Sequence, residues 1–399
     1  MSSNVYIAGL GVISGIGNNV AEHLASFEKG EAGMADITLL KTRYQQEIPV
    51  AEVKLTNTQL AEKAGMPDKL SRTALLSMIA AKEALADAAI ENITSWRTGF
   101  VSANTVGGMD KTEDFFAEFL NDPQSGDLQN VVNHECGSVT ELVADSLGIQ
   151  NYVTTISTAC SSSANAIFYG ARLIRNGLLD VVVAGGVDSL TRFTLNGFNT
   201  LMILDRQFCK PFDENRQGLN LGEGAGYLVL VSEKVAESLT KKPYARLSGY
   251  QNSNDAYHQT ASSPDGTGPY LAMKGALEKS CLKPTDIDYI NLHGTGTNNN
   301  DQSEGIAVKR LFDPVYPKMS STKSFTGHTL GASGGVEAVF SVLAIQHGII
   351  YPNLRFDTPM HELPFTPARE FMNGQQVNHV MSNSFGFGGN CTSLIFSKI

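Results

Sequence analysis

The sequence predicts a mixed α/β fold built from two similar halves. Short runs rich in β-branched residues alternate with longer helical stretches, a pattern typical of helices layered on sheets. The clearest strand runs are residues 5–8, 181–184, 227–231 and 392–396, and the clearest helical stretches are residues 71–89 and 164–175.

An internal similarity indicates the duplication. Residues 160–177 and 331–348 each begin with small residues, continue into an apolar helix and end at a glycine suited to a left-handed helix cap, Gly177 and Gly348. The alignment places Cys160 opposite Gly331, three residues after His328. We therefore expect equivalent helix N-termini to meet, with halves at residues 1–242 and 243–399.

Composition narrows the class of protein. The 399 residues are 42% hydrophobic and 18% charged, enough to bury a large core. A formal net charge of -10 argues against binding to nucleic acid or to an anionic membrane surface. Five scattered cysteines without a CxxC pair predict reduced thiols in the cytoplasm. The start of the chain lacks a secretion-signal pattern, and no apolar run predicts a membrane span.

Three residues carry the chemical signal, namely Cys160, His293 and His328. Each lies among small, loop-forming residues next to an apolar segment. A cysteine that opens a helix has free backbone N–H groups beside its sulfur, so we expect a lowered thiol pKa and a nucleophilic thiolate. The two histidines are then its proton-handling partners.

Two charged residues lie near this set in the sequence. Glu337 is in an otherwise apolar helix, where a carboxylate needs a partner. Lys323 is the nearest cation in sequence, and it precedes His328 by five residues. We predict an ion pair between them that fixes the lysine near His328.

Two glycine-rich stretches lead to different interpretations of their function. Residues 9–17 imitate a dinucleotide-binding loop, but the spacing is wrong and no helix follows promptly. Residues 385–389 place Phe387 between glycines. One interpretation is a tight turn between strands; the other is a hinged loop whose backbone N–H completes an oxyanion hole and whose ring gates a pocket.

Taken together and in this order, these motifs closely resemble the β-ketoacyl-acyl carrier protein synthases, above all the elongating type II enzymes. The resemblance extends from residues 9–12 to residues 383–389 and includes residues 210–213 and 221–226. It implies a thiolase fold, a duplicated five-layer αβαβα sandwich, and a homodimer.

The resemblance also implies roles for the residues above. Cys160 would carry the acyl chain, with backbone N–H groups of Cys160 and Phe387 forming the oxyanion hole. His293 and His328 would promote decarboxylation of a malonyl thioester, and Lys323 would organise His328. Both substrates would be carried on the phosphopantetheine of an acyl carrier protein, with no separate cofactor. The presence of a cation near Glu337 is left open.

Further positions match family sites that surround the substrate. They are Thr260, Thr295 and Thr297 in the pantetheine tunnel, Phe198, Phe385 and Phe387 at the gate, and Val106 where pocket depth is set. The regions around Lys63, Lys69, Arg72 and Arg206 resemble the carrier-docking surface. A basic stretch that the family often has near residues 125–135 is absent here, and the segment between Phe198 and Lys210 is shorter than in housekeeping enzymes.

Four alternatives compete with an elongating fatty-acid enzyme. A specialised synthase of a polyene or polyketide-like pathway would keep the same chemistry. A degradative thiolase would need a second catalytic cysteine, for which Cys391 is the candidate. Initiating synthases use asparagine where this chain has His328. A non-catalytic partner subunit would lack the nucleophile, so an intact Cys160 argues against it.

Overall fold

The computed structural model describes residues 4–399. Its strands are β1 (Val5–Ser14), β2 (Thr98–Ala103), β3 (Tyr152–Ile156), β4 (Val181–Asp188), β5 (Gly224–Ser232), β6 (Ala245–Asn254), β7 (Tyr289–Asn291), β8 (Lys318–Ser320), β9 (His379–Phe385) and β10 (Asn390–Ser397). Its α-helices are α1 (Val20–Lys29), α2 (Asn57–Ala64), α3 (Arg72–Ala88), α4 (Met109–Asn121), α5 (Cys136–Leu147), α6 (Ser162–Arg175), α7 (Arg192–Thr200), α8 (Glu233–Ser238), α9 (Thr267–Ser280), α10 (Asn298–Phe312), α11 (Lys323–Thr326) and α12 (Ser333–His347).

The strands form one continuous sheet in the order β3-β2-β4-β5-β1-β6-β10-β9-β7-β8. Counted from its own first strand, each half has the order 3-2-4-5-1, and the halves meet where β1 pairs antiparallel with β6. The pairings repeat too: β2 is parallel to β3 and β4, just as β7 is parallel to β8 and β9. The remaining pairs within each half are antiparallel. The predicted duplication is confirmed.

Each half of the chain contributes five strands, here called a half-sheet, and helices cover the outer face of each half-sheet and also lie between the two. α6 packs on β2 and β4 and also on β10, while α12 packs on β4 and β5 and also on β9, so these two helices lie between the half-sheets. α3 and α5 cover the outer face of the first half, and α9 and α10 cover the outer face of the second. The resulting order of layers is the expected αβαβα.

The predicted elements agree with the structure because their signals are local. The four strand runs lie in β1, β4, β5 and β10, and the helical stretch at residues 71–89 becomes α3, capped by the side chain of Ser71. Gly177 and Gly348 end their helices with φ of 67° and 62°, as expected for left-handed caps. The proposed boundary at residues 242–243 lies in the connection from α8 to β6 and stays a prediction.

The glycines of β1 serve packing. A Cβ atom on Gly9 would lie 2.1 Å from the carbonyl oxygen of Ala84, and one on Gly11 would lie 2.0 Å from that of Ala80. Only glycine lets α3 approach β1 this closely. Close packing of α3 on β1 therefore accounts for these glycines, and no nucleotide-binding role is needed to explain them. Within residues 4–399, no helix is long and apolar enough to cross a bilayer.

Candidate active site

The site lies where parallel strands of both halves reach their carboxyl ends. Cys160 follows β3 in the first half. In the second half, His293 follows β7, Lys323 follows β8 and Phe387 follows β9. Parallel strands end at a common edge of a sheet, where α/β folds bind their ligands. The duplicated topology therefore brings together residues that are far apart in sequence.

Cys160 lies in a tight turn just ahead of a helix. The preceding Ala159 has a left-handed φ of 53°, and α6 begins at Ser162. The Oγ of Ser161 donates to Oδ1 of Asn390 at 2.7 Å, which ties the turn to β10. The cysteine is buried, with 6% of its surface exposed. The predicted placement before a helix N-terminus is confirmed.

The loop after β9 closes over the cysteine. The backbone N–H groups of Phe387 and of Cys160 itself face the thiol sulfur as hydrogen-bond donors. A Cβ atom on Gly386 would lie 2.9 Å from the carbonyl oxygen of Thr158 and 3.2 Å from the nitrogen of Cys160, so the loop approaches this closely because residue 386 is glycine. Two converging N–H groups are what an oxyanion hole requires.

His328 presents an N–H group to the cysteine. Its Nε2 lies 3.1 Å from Cys160 Sγ. Its Nδ1 accepts the backbone N–H of Leu330 at 3.2 Å and lies 2.9 Å from Ser333 Oγ. Since a backbone N–H can only donate, Nδ1 is the acceptor and the ring proton is on Nε2. His328 can thus donate a hydrogen bond into the site.

His293 is held in the same tautomer by a different group. The Nζ of Lys323 lies 3.3 Å from His293 Nδ1 and also pairs with Glu337 Oε1. The predicted ion pair is confirmed, and the charge of the lysine acts on His328 as expected, but its hydrogen-bonding contact is with His293. The reason is topological: β7 and β8 pair directly, so the residues that follow them are neighbours.

Burial decides the charge of these groups. It lowers the pKa of both His293 and His328 well below the usual value, and the nearby charge of Lys323 lowers each further, so both imidazoles are neutral at pH 7. Burial also raises the pKa of Glu337 to about 7, opposed by Lys323. The second oxygen of Glu337, Oε2, is buried and has no hydrogen-bond partner among residues 4–399.

Cys160, His293 and His328 each offer one atom that could bind a metal, the thiol sulfur or a ring nitrogen, and these three atoms lie within 4.8 Å of one another. Such a group could hold a metal ion, but its surroundings favour another role. Histidines that bind metals donate their second ring N–H to an acceptor. Here both Nδ1 atoms accept from donors, which keeps the Nε2 atoms protonated. The arrangement therefore suits stabilisation of a developing oxyanion.

The thiol itself departs from expectation. Burial raises the pKa of Cys160 to about 11, although Lys323 and the N–H groups of Phe387 and Cys160 oppose this effect. The prediction of a lowered pKa from the helix N-terminus is therefore wrong. The cost of burying a thiolate exceeds the help from the local donors.

This pKa predicts the pH dependence of alkylation. The thiolate fraction rises tenfold per pH unit below the pKa, so the rate of iodoacetamide labelling at Cys160 should rise about 100-fold from pH 7 to pH 9. Peptide mass spectrometry measures this rate, with a Cys160→Ser variant as the blank. A rate that levels off below pH 8 would show that the thiol pKa is lowered after all.

A cavity of about 330 Å³ opens onto the cysteine. Its lining includes the predicted tunnel and gate residues Phe198, Thr260, Thr295, Thr297, Phe385 and Phe387. The rings of Phe198 and Phe387 stack with centroids 5.8 Å apart. The cavity thus combines an aromatic wall with hydroxyl and amide groups, which suits a long ligand with an apolar end and a polar arm.

Val106 does not line this cavity. It is buried and its N–H donates to Asp188 Oδ1 at 3.1 Å. It belongs to an apolar cluster with Leu195 and Leu330, against which the cavity residue Phe198 packs. Side chains therefore fill this region, and the expected control of pocket depth stays a prediction.

Sequence reasoning missed a set of buried carboxylates. On α10, Glu304 accepts the backbone N–H groups of His293 and Gly294 at 2.9 and 2.8 Å, and Nδ2 of Asn383 at 3.1 Å. Burial raises its pKa to about 7. Three residues earlier, Asp301 is also fully buried. The sequence did contain a sign of these buried carboxylates: two acids three residues apart, as on one face of a helix, shortly after the loop that carries His293.

A third buried acid joins the two halves. Asp188, at the end of β4, accepts the backbone N–H groups of Thr105, Val106 and Gly331 at 2.8, 3.1 and 2.7 Å. Burial raises its pKa to about 6, although these donors oppose the effect. It thus ties the loop that carries Val106 to the turn that follows His328.

One expected docking residue is not at the surface. Arg72 is buried and forms an ion pair with Glu223 at 2.6 Å, so its guanidinium is directed into the protein. Its expected contact with a carrier is wrong. Lys63 and Lys69 are exposed, as is Arg206, which lies 3.3 Å from Glu47. Arg72 lies in an ordinary first turn of a helix, and nothing near it in the sequence indicates that its partner is the distant Glu223.

Comparison with known proteins defines the class that this fold and site belong to. The N-terminal domain of the β-ketoacyl synthases matches residues 2–236, and their C-terminal domain matches residues 244–357. The chain belongs to the β-ketoacyl synthase family, and it is an acyl-transferring condensing enzyme.

Individual relatives align over the full length. The 3-oxoacyl-[acyl-carrier-protein] synthase 2 of Staphylococcus aureus is 32% identical over 411 residues, 100% of this chain and 99% of that protein. The protein of the same name from Synechocystis is 33% identical, over 99% and 98%. Among solved structures, the ishigamide ketosynthase/chain length factor is 29% identical with a TM-score of 0.94, over 100% of both chains. The ketosynthase ApeO of Xenorhabdus doucetiae, in complex with its chain length factor ApeC, is 31% identical with a TM-score of 0.85, over 100% and 98%.

Proposed function

We propose that the chain extends an acyl chain on an acyl carrier protein by decarboxylative Claisen condensation with a malonyl thioester. One observation carries the proposal: the thiol sulfur of Cys160 and a ring nitrogen of each of His293 and His328 lie within 4.8 Å of one another, and all three residues line one cavity. Two neutral imidazoles with outward N–H groups and one thiol are the groups that this reaction needs.

The first half-reaction transfers the acyl chain to the enzyme. The sulfur of Cys160 attacks the thioester carbonyl, the thiol proton passes to the leaving phosphopantetheine sulfur, and an acyl-enzyme forms. The negative charge on the carbonyl oxygen is stabilised by the N–H groups of Cys160 and Phe387. Because the thiol of Cys160 is buried and protonated, it must lose its proton as the sulfur attacks.

The second half-reaction uses both histidines. The Nε2–H groups of His293 and His328 donate to the malonyl thioester oxygen while the bond to the carboxylate breaks and carbon dioxide leaves. The bonding electrons form an enolate, whose carbon attacks the acyl-Cys160 carbonyl. The carbon–sulfur bond breaks, Cys160 leaves with the bonding electrons as a thiolate that takes up a proton from solvent, and the product stays on the carrier two carbons longer.

A degradative thiolase is less well supported. Cys391 lies in β10, is buried at 2% exposure, and is not among the residues that line the cavity. Burial also raises its pKa. A second catalytic cysteine would have to reach the substrate, and this one does not face it.

A specialised pathway is the second candidate. Solved ketosynthases that work with a chain length factor are similar to this chain over its whole length. The chemistry would be the same, and the primer would differ.

The cytoplasmic location and the independence from any cofactor remain predictions, as does the homodimer.

The acyl primer can be identified directly. We expect incubation with a panel of acyl-carrier thioesters to add one acyl group at Cys160, read by intact-protein mass spectrometry. Saturated medium or long chains would indicate fatty-acid elongation, whereas preference for an unsaturated or aromatic primer would indicate the specialised pathway. No adduct with any primer would contradict the proposed function.

Carrier docking has its own test. Because a carrier protein is acidic, we expect the double variant Lys63→Glu/Lys69→Glu to raise KM for carrier-bound substrate about tenfold with little change in kcat. The same thioester on free pantetheine serves as the control and should react equally well with both proteins. An equal loss with both substrates would show that the lysines do not contact the carrier.

A further inference from the structure

The two N–H groups that face the thiol sulfur belong to different halves of the chain. The N–H of Cys160 lies in the turn that follows β3, and the N–H of Phe387 lies in the loop that follows β9. Two donors stabilise one oxyanion only if both point at the same place, so their separation has to be held across the boundary between the halves. Asn390, the first residue of β10, makes the contacts that hold it.

The side-chain oxygen of Asn390 accepts three hydrogen bonds. Ser161 Oγ donates at 2.7 Å, Asn165 Nδ2 at 2.8 Å and Asn252 Nδ2 at 2.7 Å. Ser161 directly follows the cysteine and Asn165 lies near the start of α6, whereas Asn252 is in β6. One oxygen atom of the second half thus binds the turn and the helix of the first half that present Cys160.

The main chain of Asn390 closes the loop that carries Phe387. Its carbonyl oxygen accepts the N–H of Gly386 at 2.8 Å, and the chain between them turns at Gly388 and Gly389, each with a left-handed φ of 78°. The residue that binds Ser161 through its side chain therefore also forms the base of the loop. A shift of Asn390 would move the N–H of Phe387 relative to that of Cys160.

The acceptor oxygen belongs to a buried polar network. Asn165 Nδ2 also donates to Thr158 Oγ1 at 2.8 Å, and Asn165 Oδ1 accepts from Thr392 Oγ1 at 2.6 Å. The side chains of Ser161 and Thr392 are fully buried, and Asn165 is 6% exposed. A buried network whose members bind one another is rigid, because a movement of any member leaves a polar group unsatisfied.

The two histidines are held by other contacts. His328 Nδ1 accepts the N–H of Leu330, and His293 Nδ1 lies beside Lys323 Nζ. Neither contact passes through Asn390. A change at Asn390 can therefore alter the oxyanion donors and leave the Nε2–H groups of both histidines in place.

We propose that Asn390 is a positioning residue that sets the spacing of the two oxyanion donors. It is not among the residues that line the cavity, so it acts through Cys160 and Phe387 and not by contact with the substrate. The inference rests on the proposed function, in which these donors stabilise the tetrahedral oxyanion of acyl transfer.

Asn390→Leu tests the acceptor, because leucine has a similar shape and accepts no hydrogen bond. We expect acylation of Cys160 by an acyl-carrier thioester, followed by rapid-quench intact-protein mass spectrometry, to slow about 100-fold, the loss expected from a misplaced oxyanion donor. In a Cys160→Ala background, adding Asn390→Leu should change release of carbon dioxide from a malonyl-carrier thioester by less than about twofold, because that step uses the histidines.

Ser161→Ala is a milder second variant that keeps the proposal testable if Asn390→Leu does not fold. It removes the hydroxyl that joins the turn to the loop, and it should slow acylation about tenfold. The double variant Ser161→Ala/Asn390→Leu should be no slower than Asn390→Leu, because both changes break the same bond.

Asn19→Leu is the matched control. It also removes an amide acceptor, the one that caps the N-terminus of α1, and it should acylate at close to the wild-type rate. Thermal unfolding shows whether each variant is folded. Unchanged acylation in folded Ser161→Ala and Asn390→Leu, or an equal fall in acylation and carbon dioxide release, would overturn the proposal. Absence of an acyl adduct on the wild-type protein would instead contradict the proposed function, so the two failures are distinguishable.

Discussion

Replacement of Cys160 by alanine should abolish chain elongation while decarboxylation of a malonyl thioester continues. The acyl-enzyme bond can form only at the sulfur, so we expect the elongation rate to fall by at least about 10³-fold. The Nε2–H groups of His293 and His328 do not need the thiol to stabilise an enolate. Release of carbon dioxide from malonyl-carrier substrate, measured beside product formation, separates the two activities.

Cys391→Ala is the matched control, because it removes another buried thiol, which lies in β10 outside the cavity lining. We expect this variant to elongate chains at close to the wild-type rate. Loss of elongation in Cys391→Ala would revive the thiolase alternative, and elongation by Cys160→Ala would show that the nucleophile is a different residue.

Replacement of Lys323 by methionine should affect both stability and catalysis. It leaves the Glu337 carboxylate buried without a cation, which costs about 3–5 kcal/mol of unfolding free energy. Burial already raises the pKa of Glu337 to about 7, and loss of the lysine raises it further. An acid with a raised folded pKa destabilises the protein as it ionises, so the loss should be larger at pH 8 than at pH 5. Chemical unfolding at both pH values measures it.

The double variant Lys323→Met/Glu337→Leu distinguishes the two effects. Removal of both charges should restore stability to within about 1 kcal/mol of wild type. Activity should stay at least about 100-fold lower, because His293 Nδ1 loses the donor that keeps the proton on Nε2. Recovery of both activity and stability would mean that the lysine only offsets the carboxylate. Lys241→Met, which breaks a partly exposed pair with Asp87, should change stability by less than about 1 kcal/mol.

Short-range signals explain what could be predicted from the sequence. Strand runs and helix caps depend on neighbouring residues, and they recur in the structure. The pairing of Lys323 with Glu337 could be predicted because Glu337 lies in an apolar helix and Lys323 is the nearest cation in sequence. The duplication was visible because the two helices that start at the site have the same pattern.

Interactions across the fold explain what could not be predicted. Lys323 contacts His293 because β7 and β8 are adjacent, and strand order is not written in local sequence. Arg72 is buried against Glu223, a residue 151 positions away. Glu304 holds the His293 loop through backbone N–H groups that no residue pattern reveals.

The sequence by itself therefore determined the fold class, the family and the identity of the reactive cysteine and histidines. The tertiary structure decided their ionisation and tautomers: which histidine the lysine contacts, and whether the thiol of Cys160 is protonated. The physical reason is that residue type fixes which chemistry is available, whereas burial and partners from distant strands fix the pKa at which each group works.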